Sequence, residues 1–267
     1  MIVVESFTDL VNTAVSFSAA PDGGFYFIDQ TDHTLLHVSN KNVIGKSVGG
    51  LGWGNQQFDT PSDVSSSFLF DIYVTDYNNK RIQKFDKYLN FIQTLDEKTV
   101  LNHTGGFQPR ACAVSLLGEL FIVEMDGRRI VKLSSRGKYL AEFGTHSTVS
   151  AGVLRQPIDI AVSSSNEVFV LDQNRLLVYD TFGNYLKQIA LSDSSVWQSV
   201  TSSDQFIVIT SPRLIEIVSS DNTARTSITQ SNIINFPSNI EFVDAAIVRG
   251  KLTILTKKTV YRCSLRW

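Results

Sequence analysis

Three oxygen-bearing side chains each stand two residues after a proline: Asp63 in Pro61-Ser62-Asp63, Asp159 in Pro157-Ile158-Asp159 and Asn239 in Pro237-Ser238-Asn239. Brought together, two carboxylates and an amide would suit a hard cation such as Ca²⁺, which takes oxygen ligands. The same trio could let a divalent cation polarise a substrate carbonyl, as a lactonase or other hydrolase needs. Two charges and one amide are few for tight binding, and a further proline phrase, Pro109-Arg110-Ala111, carries an alanine at that place. Hydrogen bonding among these groups and water is the plainer reading. We therefore expect no cofactor, with Ca²⁺ the one candidate. Zinc chemistry has a weaker basis: of His33, His37, His103 and His146, none lies in an inner apolar run, and a zinc site needs three or four converging ligands. No Gly-x-Ser-x-Gly elbow or Ser–His pair is present. Catalysis is thus the minor reading.

A second set of polar residues is more regular. Asp29, Asp76, Glu124 and Asp172 each close a five-residue apolar run. In three cases a short turn with Asn or Asp follows, and then arginine: Asp76, Asn78 and Arg81; Glu124, Asp126, Arg128 and Arg129; Asp172, Asn174 and Arg175. An acid in this place can accept hydrogen bonds from turn amides and pair with the arginine. The functional reading is a loop surface for binding. Its basic residues, with Arg213, Lys257, Lys258 and the aromatic Tyr77, could in principle hold single-stranded RNA. Acids alternate with the bases in the same turns, however, and the chain carries 24 Lys and Arg against 26 Asp and Glu. Nucleic acid is therefore disfavoured as a partner.

The elements that must position these residues follow from repetition. The apolar runs FYFID (25–29), IYVTD (72–76), LFIVE (120–124) and VFVLD (168–172) put their acids 47, 48 and 48 residues apart. Two further copies, FIVIT (206–210) and LTILT (252–256), end in Thr210 and Thr256. Pro61, Pro109 and Pro157 keep the same phase at intervals of 48, each 15 residues before its acid. Each unit holds about four strand-like runs separated by turn residues, and no helical period is sustained. Four antiparallel strands repeated six times at this period make a six-bladed β-propeller, all-β, over residues 1–267 as one domain. The last unit stops after its third strand (261–267), while IVVESF (2–7) is spare at the front. We expect residues 2–7 to complete the last blade and close the ring.

The phrase GGLGWGNQQFDTPSDV (49–64) with IYVTDYNNKRIQKFD (72–86) resembles the NHL repeat. QPRACAV (108–114) with LFIVEMDGRRIVKL and QPIDIAV (156–162) with VFVLDQNRLLVYD are similar to it as well. The first, fifth and sixth units share only the apolar runs. The resemblance implies that the proline phrases and acid-plus-arginine turns share one face, with Asp63, Arg110, Asp159 and Asn239 nearest the axis. Asp76, Asn78, Arg81, Asp126, Arg128, Arg129, Asn174 and Arg175 would lie further out as the binding-face candidates. It implies recognition of a protein or other ligand by a rigid platform, alone or as a subunit of a larger assembly. A cation-dependent lactonase-like enzyme on the axial carboxylates is the alternative. Zinc lyases of this fold need channel histidines that are missing here. The resemblance also points to a periplasmic or cell-surface location, with any signal peptide absent from this chain.

The remaining features read as structural. The N-terminal stretch lacks the basic start of a signal peptide. No apolar run is long enough to be a transmembrane helix. Cys112 and Cys263 fall in opposite blades, too far apart for a disulfide. Trp53, in the Gly-rich connection, is expected to pack over a blade edge, with a partner anchor as the other option. Trp197 is expected in the core and Trp267 at the closure. The sequence does not set an oligomeric state.

Overall fold

A computed structural model describes residues 2–9, 12–67, 70–100, 106–145, 150–192, 196–203 and 205–265. Six sheets follow one another along the chain, antiparallel apart from one short edge pairing in the last. Blade 1 comprises Ala14–Ala19, Phe25–Asp29, Thr34–Val38 and Ile44–Gly49, and blade 2 comprises Pro61–Ser66, Ile72–Asp76, Arg81–Phe85 and Phe91–Asp96. Blade 3 runs from Pro109–Val114 to Tyr139–Phe143, blade 4 from Pro157–Val162 to Tyr185–Ala190, and blade 5 from Ser199–Ser202 to Arg225–Thr229. Blade 6 takes Asp244–Val248, Lys251–Leu255 and Thr259–Leu265 from the end of the chain and Ile2–Asp9 from its beginning. The innermost strands of successive blades lie against one another all the way round.

The closing strand pairs antiparallel from Ile2 opposite Leu265 to Asp9 opposite Thr259, with one irregularity between Val4 and Ser6. Ile2 is buried in the core between blades 5 and 6. A two-residue strand, Ile233–Ile234, lies parallel to Ile2 and Val3 and adds a fifth strand that the repeat does not anticipate. It covers part of an edge that would otherwise present unpaired backbone groups.

The cores explain why the blades cannot stand alone. Buried apolar residues fall into six clusters, one at each junction of neighbouring blades. Every second strand of blades 1 to 3 is buried along its full length. Such continuous burial requires cover on both faces of a sheet, which only a neighbouring blade can supply. Trp197 lies in the core between blades 4 and 5, as expected. Cys112 and Cys263 are buried free thiols. Trp267, His103 and His146 fall outside the described residues.

Candidate functional site

The acid closing the second strand in blades 1 to 4 is a structural keystone. Asp76, Glu124 and Asp172 are fully buried, and Asp29 nearly so. Each accepts a backbone N–H from the incoming connection: Asn12 to Asp29 at 2.9 Å, Asp59 to Asp76 at 2.7 Å, Gln108 to Glu124 at 3.0 Å and Arg155 to Asp172 at 3.0 Å. In blades 2 to 4 the following arginine neutralises it: Arg81 with Asp76 at 2.8 Å, Arg129 with Glu124 at 3.1 Å, and Arg175 with Asp172. Burial pushes the Asp76 carboxyl up, opposed by its bonds from Asn79, Asp59 and Arg81. Thus Asp76, Arg81 and Arg129 are interior groups, and Arg175 is half-buried against its acid. Asn78, Arg110, Asp126, Arg128 and Asn174 are the exposed members of the set. His33, Lys80 and Arg128 end the hairpins of blades 1 to 3 at φ values of 52°, 53° and 50°. This left-handed residue lets each four-residue turn deliver its acid and base to the same place.

Arg81 also organises the loop before its own blade. Its guanidinium donates to the carbonyls of Trp53 at 2.7 Å, and of Gly54 and Gln57 at 2.9 Å each. The loop carbonyls are used, and the Trp53 ring is left outside. Trp53 is 74% exposed and Leu51 67% exposed, so Trp53 does not pack over the blade edge. The glycines around it keep the loop low: Gly52 sits at φ 158°, and an added Cβ would meet the Gln57 amide. Trp53 stands between two glycines, and its indole stays in solvent.

At the axis, one position per blade converges. Ser16, Asp63, Ala111, Asp159, Ser199 and Asp244 all line a channel cavity of about 370 Å³. In blades 1 to 4 a β-bulge just ahead of this position re-aims the residue inward. Asp63, Asp159 and Asp244 also line a second cavity of about 240 Å³, so they stand where the two halves of the channel meet. Carboxylates therefore occupy alternate blades 2, 4 and 6.

Asn239 is not among them. It lines a separate cavity between blades 5 and 6, with a left-handed φ of 64° that an inner strand would not adopt. The connection into blade 6 is longer than its counterparts, since it carries the extra edge strand. The axial place falls to Asp244 instead. A signal was available: Asp244-Ala245-Ala246-Ile247 parallels Asp159-Ile160-Ala161-Val162. Asp159 stands 13 residues before Asp172, whereas Asp244 stands 12 before Thr256, so the residue pattern finds it and strict counting does not.

The axial groups bond from blade to blade. Asp63 accepts the Ser16 hydroxyl at 2.6 Å and the Cys112 N–H at 2.8 Å. Asp159 accepts the N–H groups of Ile160 at 2.8 Å and Val200 at 2.7 Å. Asp244 accepts the Ser199 hydroxyl at 2.7 Å and the Ala245 N–H at 2.8 Å, and it also receives the Phe17 N–H. Blades 3 and 4, where Ala111 has no acceptor, are joined instead by Arg110 Nε donating to the Ile158 carbonyl at 3.1 Å. Every blade junction thus has a polar link at the channel. Loss of water and mutual repulsion favour the protonated acids. Burial, then the Asp63 and Asp244 charges, push Asp159 well up. Burial likewise raises Asp63, with Ser16, Cys112 and Arg110 opposing. Asp244 is held at about 7, chiefly by burial. Among the described residues, no group of three His, Cys, Asp or Glu is gathered closely enough to hold a metal ion.

No family model matches the chain. It is 26% identical over 147 residues to the B-box type zinc finger protein ncl-1 of Caenorhabditis elegans, a match covering 54% of this chain and 17% of that protein. It is also 26% identical over 147 residues to protein brain tumor of Drosophila melanogaster, covering 54% of this chain and 14% of that protein. The chain therefore matches a small part of these relatives' length. Among solved structures, the virginiamycin B lyase of Staphylococcus aureus superposes over 100% of both chains, with a TM-score of 0.68 and 11% identity. At that identity the likeness shows the fold alone. No helix among the described residues is long and apolar enough to cross a membrane.

Proposed function

We propose that this chain is an NHL-type propeller that recognises a protein partner through the loops of one face, with Trp53 as its anchor. The clamped Trp53 loop carries this reading. An indole that is 74% exposed, beside an exposed Leu51, would cost little to keep in water only if the loop were free to fold over it. Arg81 prevents that by holding three loop carbonyls, and Asp76 fixes Arg81. A rigid, desolvation-ready tryptophan is a common centre of binding energy in protein interfaces. Preorganisation also lowers the entropy lost on association. The repeat phrases and the likeness to ncl-1 and brain tumor support the same reading.

The alternative of a cation-dependent hydrolase needs carboxylate oxygens aimed at a ligand. Here each axial carboxylate spends its oxygens on hydroxyl and backbone donors of its own and adjacent blades, as a joint would. We therefore read the axial ring as structural and expect no bound cofactor.

The test is capture from the native source, with the intact chain and a Trp53→Ala/Leu51→Ala variant as baits. Both residues are exposed, so the variant should melt at the same temperature. A protein retained by the intact chain and at least about tenfold depleted with the variant is expected, as for loss of a hot spot. Equal retention by both baits, or no retained protein, would overturn the reading.

A further inference from the structure

We propose that the cavity between blades 5 and 6 is a subsite for an acidic segment of a protein partner, whose carboxylates sit against Arg213, Lys257 and Lys258. This deepens, and rests on, the reading of this face as a protein-recognition surface.

The observation is a group of turn cations that no buried acid takes up. In blades 2, 3 and 4 the hairpin arginine is consumed by the buried acid that ends the second strand. In blades 5 and 6 that acid is replaced by Thr210 and Thr256, both buried. The places opposite these threonines are uncharged as well, Ile215 facing Thr210 and Thr259 facing Thr256, and Arg213, Lys257 and Lys258 stand in the turns between. Thr256 satisfies itself within its turn, donating to the Thr259 carbonyl at 2.9 Å and accepting the Thr259 N–H at 3.0 Å. It asks nothing of the lysines. Among the described residues, neither Arg213 nor Lys258 has an acidic partner. Lys257 reaches Glu241 only at 4.0 Å, with both side chains more than half exposed.

These cations border one space. Arg213, Lys257 and Lys258 line a cavity of about 880 Å³ together with Thr229, Ser231 and Asn239. The cavity opens where the chain leaves blade 5 through the Gln230–Asn232 turn and the Ile233–Ile234 strand, and returns to the axis at Asp244. Three cations line this space with one carboxylate, Glu241, while Asp9 lies beside it and accepts the Thr259 hydroxyl at 3.0 Å, so the spot is positive on a chain whose formal net charge is -2. The positive charge is spread over hairpins of two blades rather than focused on one point. Phosphate sites typically use converging backbone amides. Here the N–H groups of Thr229, Thr256 and Thr259 are bonded within their own turns. Side-chain cations spaced along a trough fit successive carboxylates of an extended segment, which complementary charge would steer and align.

The experiment is calorimetric titration of the full chain with two peptides: acetyl-Ala-Glu-Glu-Asp-Glu-Ala-amide and its Gln/Asn counterpart. The expected result is binding of the acidic peptide, at least about tenfold weaker for the neutral one, and weakened by salt. Arg213→Ala/Lys258→Ala should weaken the acidic peptide at least tenfold. Lys41→Ala/Arg136→Ala removes the same charge from exposed residues in turns between the third and fourth strands, and should leave binding unchanged. All four residues are exposed, so melting temperature confirms that both variants fold. Equal binding of the neutral peptide, or equal weakening by the two variants, would overturn the proposal. So would inorganic phosphate that displaces the peptide and loses its own heat in Arg213→Ala/Lys258→Ala, which would mark a small-anion site. A chain that ignores the acidic peptide yet still captures a partner through Trp53 would sink this subsite and leave the recognition reading standing. Peptide binding without Trp53-dependent capture would do the reverse.

Discussion

Replacing Asp244 by asparagine should stabilise this protein at neutral pH. The Asp244 carboxyl keeps its proton up to about 7 in the fold, against an ordinary 3.8. Each unit of such a difference is worth about 1.4 kcal/mol, so ionising this group at pH 8 costs the fold about 4 kcal/mol. The sign follows from proton binding. Between pH 4 and pH 7 the folded chain retains a proton that the unfolded chain has released, so stability falls as pH rises, and it levels off above 7. Asp63 and Asp159 are displaced in the same direction, Asp159 by burial and in part by the charge of Asp244. Asparagine is neutral at every pH. Its Oδ1 can still accept from Ser199 and Ala245, while the bond from the Phe17 N–H is lost, at about 1 kcal/mol. The net gain at pH 8 is then about 3 kcal/mol, or roughly 6–12 °C in melting temperature for a chain of this size. Below pH 4 the variant should be equal or slightly weaker. The assay is thermal unfolding of both proteins from pH 4 to pH 8, taking the difference at each pH so that unrelated groups cancel. Asp86, Asp180 and Asp221 are shifted downward by their turn hydrogen bonds and so titrate below this window. If Asp244→Asn is less stable at pH 8, or if the difference does not change with pH, the axial carboxyl is not the strained acid described here.

Deleting residues 1–8 should lower stability by several kcal/mol, because it uncovers the third strand of blade 6 and opens the ring; an unchanged melting temperature would refute closure by this strand. Two adjacent arginines should behave oppositely: Arg129→Met strands the buried Glu124 and should cost about 3 kcal/mol, while Arg128→Met, exposed, should stay within about 0.5 kcal/mol. Denaturant titration of both variants checks the contrast. Both thiols should resist a disulfide reagent at pH 8 in the native protein and react only on unfolding. Burial holds Cys263 near 12, and burial with the Asp63 and Asp159 charges raises Cys112 well up.

Much of the fold was legible in the residues. The apolar runs, their terminal acids and the in-phase prolines identify six blades because they report strand burial and hairpin chemistry, which act over a few residues. The pairing of Asp76 with Arg81 and of Glu124 with Arg129 was readable for the same reason: each pair is closed by one turn. The spare strand at 2–7 was found by counting what the last blade lacked. Other features depended on how far a connection travels. Pro237 looked like its counterparts, yet the longer route through Ile233–Ile234 moved the axial place from Asn239 to Asp244. Trp53 was expected to pack, and it stands in solvent because Arg81, 28 residues away, holds the loop carbonyls beneath it.

The sequence by itself determined the repeat, the strands within each blade and the acid that seals the hairpins of blades 1 to 4, since these rest on short-range pattern and burial. Only the tertiary structure decided that three aspartates from alternate blades share one channel. It likewise decided that the turn cations of blades 5 and 6 face one cavity. Both depend on groups far apart in the chain meeting across a closed ring, and ring closure is set by the sum of all six connections rather than by any one of them.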